Sequence, residues 1–527
     1  MKGQALSSQP SASFPLHREE GFPGNRKEDR EGIMNRGPGV VRTVLIVLGS
    51  SWFALLLNIL RVLVLPGKLG DAGIGQVTLA LSFTTFFGIF TSLGTTTYLI
   101  RAVARDRQVA SNFIGNAVLL RVVMGVLVLG IIMGIASALP YTPQAREIIF
   151  IVGISMVIFT VSNAFEAGLQ GLGQQSWRAI CTAVGQSTGT LTGIAALLMG
   201  ADARTYALSI PLGMLIQFML VLSYYILHQP ISLRPTPPVM KALLVGGLPL
   251  FIWGFLQTAY GQIDATILSL FASEHVVGWF GAASQITNVL IVIAGAITTV
   301  ALPLLCEMYA GPAEQFDRAA ARTMTCTLLV LAPVGAGLAV SAWDVLRILP
   351  YPPVFLNAAP ALALLALAVP VTGALMVLST LAVAIGQERQ WVKISAFAVC
   401  IFPPLYVSMI WLCQHIWGNG AVGAALANLI GESALVLWAW VVLPARLRNM
   451  QITRSALRIA AVCVAMVAVV ALMQRAGLPL LAYVPAGAAT YIAGVWLAGV
   501  LRPDDLLVVR NALLRRHKAR SHASAAG

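Results

Sequence analysis

The feature that most constrains this chain is a near-continuous succession of apolar runs after residue 40, each long enough to cross a bilayer. One crossing takes roughly 20 apolar residues. Hydrophobic residues make up 58% of the chain and charged residues only 10%, whereas a soluble domain carries about 25% charged residues. The runs do not alternate with period two, which excludes a transmembrane β-barrel. The sequence therefore predicts an all-α polytopic membrane protein.

About fourteen transmembrane helices are predicted, joined by connections too short for a sizeable soluble domain. They lie near residues 41–65, 74–100, 113–138, 147–170, 179–200, 205–227, 243–272, 276–305, 321–343, 358–385, 394–416, 421–443, 457–474 and 481–501. The predicted organisation is a disordered cytoplasmic tail (1–39), a six-helix lobe (40–228), a cytoplasmic linker (229–242), a second six-helix lobe (243–445), two further helices (446–501) and a basic cytoplasmic tail (502–527).

The distribution of Lys and Arg predicts that both termini are cytoplasmic. With the N-terminus inside, the cytoplasmic segments hold 27 of the 34 Lys and Arg residues and the outer segments hold 6. An excess of positive charge on the cytoplasmic side is the usual determinant of orientation. The formal net charge of +14 then faces an anionic leaflet rather than a nucleic acid, because no folded soluble module carries a basic patch.

Motifs for enzymatic chemistry are missing from the sequence. The six cysteines show no CxxC spacing and the six histidines show no ligand spacing, so neither a metal site nor a disulfide framework is predicted. No P-loop, nucleophile elbow or pair of catalytic carboxylates occurs. We therefore expect a transporter with no catalytic residue and no cofactor. Coupling of its transport to a proton or sodium gradient is a hypothesis.

Two short phrases recur and indicate an internal duplication. "GLGQQSWR" (171–178) returns as "AIGQERQWVK" (384–393), and "DAGIGQVTLA" (71–80) resembles "EHVVGWFGAA" (274–283). The second match places Asp71 over Glu274 and Gly75 over Gly278. Six predicted spans separate the members of each pair, so the repeats are parallel and related by an axis along the membrane normal. The chance recurrence of Gly-polar loops is the less favoured interpretation.

The same offset places Arg61, on the first span, over Asp264, on the seventh. A charge within a span is costly and usually faces protein or a wet cavity. We therefore hypothesise that Arg61 and Asp264 meet or jointly contact substrate across a central cleft. The alternatives are that Arg61 extends to the membrane interface and that Asp264 pairs locally.

Further polar residues within spans form the remaining candidate set. Gln257, Tyr260, Gly261 and Asp264 fall at i, i+3, i+4 and i+7, which predicts one stripe on a continuous helix. The other candidates are Gln285 and Asn288 on span 8, Asn163 and Glu166 on span 4, Asn428 and Glu432 on span 12, and Arg121 with Asn116 on span 3. Interhelical hydrogen bonding explains most of the amides. Arg121 suits a diphosphate through bidentate hydrogen bonds, and Asp264, Glu166 and Glu432 are the candidates for ion coupling.

Several stretches jointly resemble the oligosaccharide and polysaccharide flippases of the multidrug/oligosaccharidyl-lipid/polysaccharide (MOP) transporter superfamily. They are "LGDAGIGQVTLALSFTTFFGIFTSLGTTTYLIRAVARD", "GQIDATILSLFASEHVVGWFGAASQITNVL", "GLGQQSWR", "AIGQERQWVK" and "GNGAVGAALANLIGE". The resemblance covers about residues 40–445. It implies two pseudo-symmetric six-helix lobes around a central cleft, with two C-terminal helices appended.

The resemblance also implies a function. Such proteins move lipid-linked oligosaccharides, usually on undecaprenyl diphosphate, across the bacterial inner membrane by alternating access, and are thought to act as monomers. Cationic cleft residues are thought to hold the diphosphate and acidic sugars, which suits Arg61 and Arg121. Partners beyond the bilayer and substrate, such as a polymerase or export complex, stay open.

Three alternatives differ from this interpretation. The dense arginines of the lipid II flippase branch are not found in spans 1 and 2, which lowers a peptidoglycan role. A multidrug/cation antiporter of the same superfamily would be expected to have a carboxylate-rich cavity in one lobe and typically twelve spans. A polytopic glycosyltransferase or polymerase would need large outer loops with catalytic acids, and the longest outer loop, "DVLRILPYPPVFLN", is short and poor in acids.

Overall fold

The computed structural model describes residues 37–229, 231–261, 263–309, 311–442 and 450–499. Within these ranges the chain forms sixteen α-helices and no strand, which confirms the predicted all-α polytopic fold. The predicted tail at 502–527 and residues 1–36 of the predicted tail at 1–39 lie outside the described residues. Residues 37–39 are helical, so the first helix begins before the predicted boundary at residue 40.

The first half of the chain contributes six helices and the second half ten. The first six are α1 (Gly37–Ser92), α2 (Thr95–Arg105), α3 (Ala110–Ala138), α4 (Pro143–Gly171), α5 (Gln175–Leu198) and α6 (Ala203–His228). The others are α7 (Pro237–Gly261), α8 (Asp264–Phe271), α9 (Glu274–Tyr309), α10 (Ala313–Val340), α11 (Ala342–Ile348), α12 (Ala359–Ala384), α13 (Glu388–Trp417), α14 (Gly420–Val442), α15 (Met450–Arg475) and α16 (Leu480–Leu497).

Twelve stretches of the described chain are long and apolar enough to cross a membrane, against about fourteen predicted spans. Two differences account for the decrease from fourteen predicted spans to twelve. The first two predicted spans correspond to the two helical arms of α1, which meet at a kink at Gly70 and count as one stretch. There φ is 68°, a conformation that favours glycine because it has no Cβ. The predicted span 179–200 is the 24-residue helix α5, which is rich in Ser, Thr and Gln and lies outside the twelve.

The two halves repeat the same pattern of helix packing. In the first half α5 packs on α6, α4 on α6, and α3 on α4. In the second half α13 packs on α14, α12 on α14, and α10 on α12. The helices stand in the same chain order in each half, as a duplication requires, so the packing supports the proposed pair of six-helix lobes.

The two polar phrases that suggested the duplication also fold alike. The N–H of Gln174 donates to the carbonyl of Leu169 (2.8 Å), and the N–H of Gln387 donates to the carbonyl of Ala382 (2.8 Å). Each is the long bond of a Schellman-type helix ending. Both phrases therefore end a helix and start the next.

The other repeated pair forms a reciprocal contact between the halves. A Cβ built on Gly75 would lie 1.9 Å from the carbonyl oxygen of Glu274, and one built on Gly278 would lie 1.9 Å from that of Asp71. Gly75 therefore contacts Glu274 in the same way as its repeat equivalent Gly278 contacts Asp71. A two-fold axis produces reciprocal contacts of this kind. Small residues allow this close backbone approach between α1 and α9.

The last two helices, α15 and α16, pack against α10. The carboxylate of Asp344, in the short helix α11, accepts hydrogen bonds from Gln474 (3.0 Å) and Tyr483 (2.7 Å). The hydroxyl of Tyr491 donates to the carbonyl of Leu329 (2.9 Å). These bonds hold both helices on the second half.

Candidate functional site

A cavity of about 520 Å³ lies between the bent helix α1 and the second half of the chain. This volume falls in the range of about 300–1,000 Å³ that is typical of ligand pockets. The walls come from both arms of α1 and from α8, α9, α12, α13 and α14. Its ionisable and amide side chains are Arg61, Asp264, Gln285, Asn288, Asn428 and Glu432.

Arg61 and Asp264 line this cavity together, as the hypothesis of a shared cleft expected. They do not form an ion pair, because none of the described ion pairs within 4.0 Å joins them. The Nε atom of Arg61 is buried and has no hydrogen-bond partner. In this conformation the two charges stand apart on one cavity, and the hypothesis that they meet or jointly contact substrate stays a prediction.

The predicted seventh span, 243–272, is broken beside Asp264. Helix α7 ends at Gly261 and helix α8 begins at Asp264, so the predicted stripe through Gln257, Tyr260 and Asp264 is not on one continuous helix. The side chains of Gln257 and Tyr260 lie outside the described parts of the structure. The N–H of Ala265 donates to the Asp264 carboxylate (2.7 Å).

This break gives the cavity a helix terminus as well as side chains. The first backbone N–H groups of α8 have no carbonyl partner within that helix. They also carry the positive end of the helix dipole. Discontinuous spanning helices recur at the substrate and ion sites of transporters for this reason.

Glu432 belongs to the same cavity as Asp264. The Glu432 carboxylate, on α14, accepts a hydrogen bond from the hydroxyl of Thr372 on α12. Asn428, one turn away, donates to the hydroxyl of Tyr406 (3.3 Å). Glu432 and Asp264, both predicted as candidates for ion coupling, therefore line one cavity.

Two contacts join the halves on either side of the cavity-lining part of α1. The first, called the first seal, joins residues 71–76 to residues 274–279. Gln76 donates to Glu274 (2.8 Å) and Trp279 donates to Asp71 (3.3 Å). These two hydrogen bonds are equivalent under the repeat. His275 Nδ1 also lies 3.0 Å from the Asp71 carboxylate.

The second seal joins residues 90–98 to residues 246–255. A Cβ on Gly94 would lie 2.2 Å from the carbonyl oxygen of Gly247, so the backbones are in direct contact. The ring of Phe90 lies 5.6 Å from that of Phe251 and 5.5 Å from that of Phe255, measured between centroids. The cavity residues 78–85 lie between the two seals on the chain.

Arg121 does not line the central cavity. It is fully buried among α2, α3 and α4, where its guanidinium donates to the Thr160 carbonyl (3.1 Å) and to Asn163 (3.0 Å). It also donates to the hydroxyls of Thr95 (3.2 Å) and Thr96 (2.7 Å). The structure therefore separates Arg121 from Arg61, and the two do not form one diphosphate clamp.

Glu166 is likewise buried inside the first half of the molecule. Its carboxylate accepts hydrogen bonds from Gln217 (2.7 Å) and Ser162 (3.1 Å). Arg178, from the phrase "GLGQQSWR", lies 3.9 Å away. Within the described residues no group of three or more His, Cys, Asp or Glu side chains could hold a metal ion.

Solved structures share this architecture. The lipid II flippase MurJ in an inward closed conformation has a TM-score of 0.67 at 14% identity, with 89% of this chain and 100% of that chain covered. An inward-facing multidrug resistance MATE family transporter of the MOP superfamily has a TM-score of 0.59 at 16% identity, covering 77% and 99%. A MOP superfamily transporter from Pyrococcus furiosus has a TM-score of 0.51 at 17% identity, covering 77% and 95%. At these identities the likeness shows the fold.

The fold is the one found in the solved flippase and transporter structures. Comparison with curated proteins gives no match. The family model of polysaccharide biosynthesis proteins matches residues 40–309, which is just over half of the chain. This match takes in the first half, the broken helix and the first seal. The chain therefore belongs to the polysaccharide biosynthesis protein family.

Proposed function

We propose that this protein moves a lipid-linked oligosaccharide, carried on undecaprenyl diphosphate, across the bacterial inner membrane for surface polysaccharide assembly. The observation that carries the proposal is the cavity between the two seals, lined by Arg61, whose Nε is buried without a hydrogen-bond partner, in a chain of the polysaccharide biosynthesis family. Arg61 would bind the diphosphate, because a guanidinium suits phosphate oxygens.

Transport would proceed by alternating access. Each seal opens in turn while the other stays closed, so the cavity never connects both sides of the membrane. The Lys and Arg distribution places the first seal on the outer side and both termini in the cytoplasm. The chain acts as a monomer in this proposal, and a polymerase or export complex is a candidate recipient of the product.

Ion coupling is assigned to the carboxylates of the central cavity. Asp264 and Glu432 both line it, and an ionisable residue inside a spanning segment is a functional candidate by default. Proton or sodium binding at Asp264 would remove the negative charge that faces Arg61 and would thereby change the cavity's affinity for a diphosphate. Glu166 is the weaker candidate, because Gln217, Ser162 and Arg178 already surround its carboxylate.

The second candidate function is a multidrug/cation antiporter. Two carboxylates and a single guanidinium line the central cavity, which favours a cationic substrate more than the sequence suggested. The diphosphate proposal is preferred because of the family match and because the buried Nε of Arg61 has no hydrogen-bond partner.

Deletion of the gene separates the two functions. The proposed flippase predicts that lipid-linked oligosaccharide accumulates on the cytoplasmic face and that wild-type protein, but not Arg61→Gln, restores surface polysaccharide. Gly130→Ala is the control, since a Cβ there meets nothing within 4 Å. Altered sensitivity to cationic drugs with normal surface polysaccharide would replace the flippase by the antiporter.

A further inference from the structure

Two loops in corresponding places of the two halves carry the same short pattern. "LPYTP" (139–143) joins α3 to α4, and "LPYPP" (349–353) joins α11 to the turn that precedes α12. In each loop the tyrosine N–H donates to the leucine carbonyl two residues earlier, at 2.8 Å in the first loop and 2.6 Å in the second. The proline between them has the backbone angle that such a γ-turn requires. These two segments, called the LPY loops, are therefore a further pair related by the repeat.

Tyr351, in the second LPY loop, reaches across to the first arm of α1. Its hydroxyl donates to the carbonyl of Val62, a buried residue. The α-helical partner of this carbonyl would be the N–H four residues later, but that residue is Pro66, which has no N–H. Tyr351 thus supplies a hydrogen bond that the helix itself lacks. Arg61, the residue before Val62, lines the central cavity.

Tyr141, in the first LPY loop, makes the corresponding contact in the opposite direction. Its hydroxyl lies 2.8 Å from the Oγ of Ser269 on α8. Because the Ser269 hydroxyl donates to the carbonyl of Thr266 (2.8 Å), the proton between the two hydroxyls comes from Tyr141. Asp264, the first residue of α8, lines the central cavity. Each tyrosine therefore binds, in the opposite half, the helix that carries an ionisable cavity residue. We call these two contacts the tyrosine clasps.

Both clasps lie at the end of the molecule that carries the first seal. A Cβ built on Gly67, shortly before the first seal, would collide with the carbonyl oxygen of Pro350, so the two backbones touch. In the other LPY loop the hydroxyl of Thr142 donates to Glu274 of the first seal (2.6 Å). The clasps and the first seal thus belong to one contact region between the halves.

We propose that Tyr351 and Tyr141 are positioning residues, which hold Arg61 and Asp264 on the central cavity while the first seal is closed and release them together when it opens. Each tyrosine acts through the group that it binds and does not touch the substrate. Because each clasp joins the two halves, separation of the halves at this end breaks both. The inference rests on the alternating access of the proposed function. It adds that opening of the first seal moves Arg61 and Asp264.

The test measures one distance beside each clasp. Spin labels are placed at Lys68 and Val354 beside the Tyr351 clasp, and in a second sample at Ala138 and Ser273 beside the other clasp. All four positions are exposed, and the six native cysteines of the full chain are replaced first. Double electron–electron resonance in nanodiscs then gives the ratio of closed to open molecules at each clasp.

Tyr351→Phe is the decisive variant, because it keeps the ring and leaves the Val62 carbonyl without this hydrogen bond. The ratio of closed to open molecules should fall about fivefold or more at both label pairs, the effect expected when a buried carbonyl loses its partner. Tyr141→Phe should act in the same direction at both pairs but more weakly, since Ser269 keeps its bond to Thr266. A change confined to the pair beside the altered tyrosine, or no change at either pair, would overturn the inference.

Tyr225→Phe is the matched control. Its buried hydroxyl donates to the carbonyl of Phe165 (2.6 Å), which is the same kind of bond, but both residues lie in the first half. This variant should lower Tm and leave both distance distributions unchanged. If it opened the first-seal end as far as Tyr351→Phe does, loss of stability alone would explain the opening and the positioning role would be refuted.

Gly67→Ala disturbs the same contact without altering a tyrosine. The new Cβ meets the carbonyl oxygen of Pro350, so the loop must move away from α1 and both label pairs should again report opening. This variant takes the place of Tyr351→Phe if that protein does not fold. Distances that stay closed at both pairs in Gly67→Ala contradict the proposal.

Failure of the clasps and failure of the proposed function are distinguishable. Translocation of lipid-linked oligosaccharide by a protein whose two label pairs respond independently leaves the function standing without the clasps. Coupled opening at both pairs, in a protein that moves no lipid-linked oligosaccharide, leaves the clasps standing without the function.

Discussion

The first seal gives the sharpest prediction, because glycine there allows two backbones to touch. In Gly75→Ala the new Cβ would lie 1.9 Å from the carbonyl oxygen of Glu274, whereas ordinary contact begins at 3.4 Å. Helices α1 and α9 must therefore separate by about 1.5 Å, the difference between these distances. Overpacking of this kind costs about 1–3 kcal/mol, which lowers the ratio of closed to open first seal by about 5- to 150-fold.

The assay is a distance measurement across the seal. Spin labels at Lys68 and Ser273, both exposed, are introduced after replacement of the six native cysteines. Double electron–electron resonance in nanodiscs should show a new long-distance population in Gly75→Ala. Gly278→Ala, the equivalent position, should do the same, and the double variant should add less than the sum because one interface is involved.

The control for this experiment is Gly130→Ala, on α3, where a Cβ meets nothing within 4 Å. It should leave the distances unchanged and raise stability by about 0.5–1 kcal/mol, the gain expected in a helix interior. Unaltered distances in both seal variants would refute the reciprocal contact. The two-fold relation between the halves would then lose its most direct support.

Three further predictions concern the second seal, the cavity and a helix cap. Gly247→Ala should shift the equilibrium in the opposite direction, opening the second seal in the same distance assay with labels moved to that end. Arg61→Gln should reduce transfer of lipid-linked oligosaccharide at least about tenfold with little change in Tm, while Asp264→Asn should abolish the dependence of transfer on the ion gradient. Asp202→Ala should cost about 1 kcal/mol in denaturant unfolding, because the carboxylate caps α6 by accepting from the N–H of Thr205 (3.0 Å). Hydrogen bonds from Thr205 lower the pKa of Asp202, so this contribution is complete above about pH 4 and is lost as the pH falls through the folded-state pKa.

The internal repeat allowed much of the fold, in particular the relation between its two halves, to be predicted from the sequence alone. Aligning Asp71 with Glu274 and Gly75 with Gly278 identified equivalent positions, and the structure adds that these positions touch each other. The alignment gave no information on contact, because a repeat relates residues by symmetry and does not say how far they stand from the axis. The apolar runs likewise predicted the helices and the interruption between spans 41–65 and 74–100, within which the kink at Gly70 lies.

Site residues were harder to predict because depth along a span does not determine which way a side chain faces. Arg121 and Arg61 are both cations in spans, yet one is enclosed within the first half and the other lines the central cavity. The sequence also did not predict the interruption between α7 and α8 before Asp264, because the polar residues on both sides of it keep the spacing of one continuous helix. Interhelical hydrogen bonding, the interpretation given to most of the amides, does describe Asn163, which accepts hydrogen bonds from Thr96 on α2 and Arg121 on α3.

The most direct test of the central claim is transbilayer movement by the purified protein. Liposomes containing undecaprenyl-diphosphate-linked oligosaccharide in the inner leaflet are reconstituted with wild-type protein, and outward appearance of the sugar is followed with a membrane-impermeant glycosidase. The proposal predicts rapid appearance that Arg61→Gln abolishes and Gly130→Ala preserves. Appearance no faster than in protein-free liposomes, in a preparation that exchanges cationic drugs for ions, would contradict it.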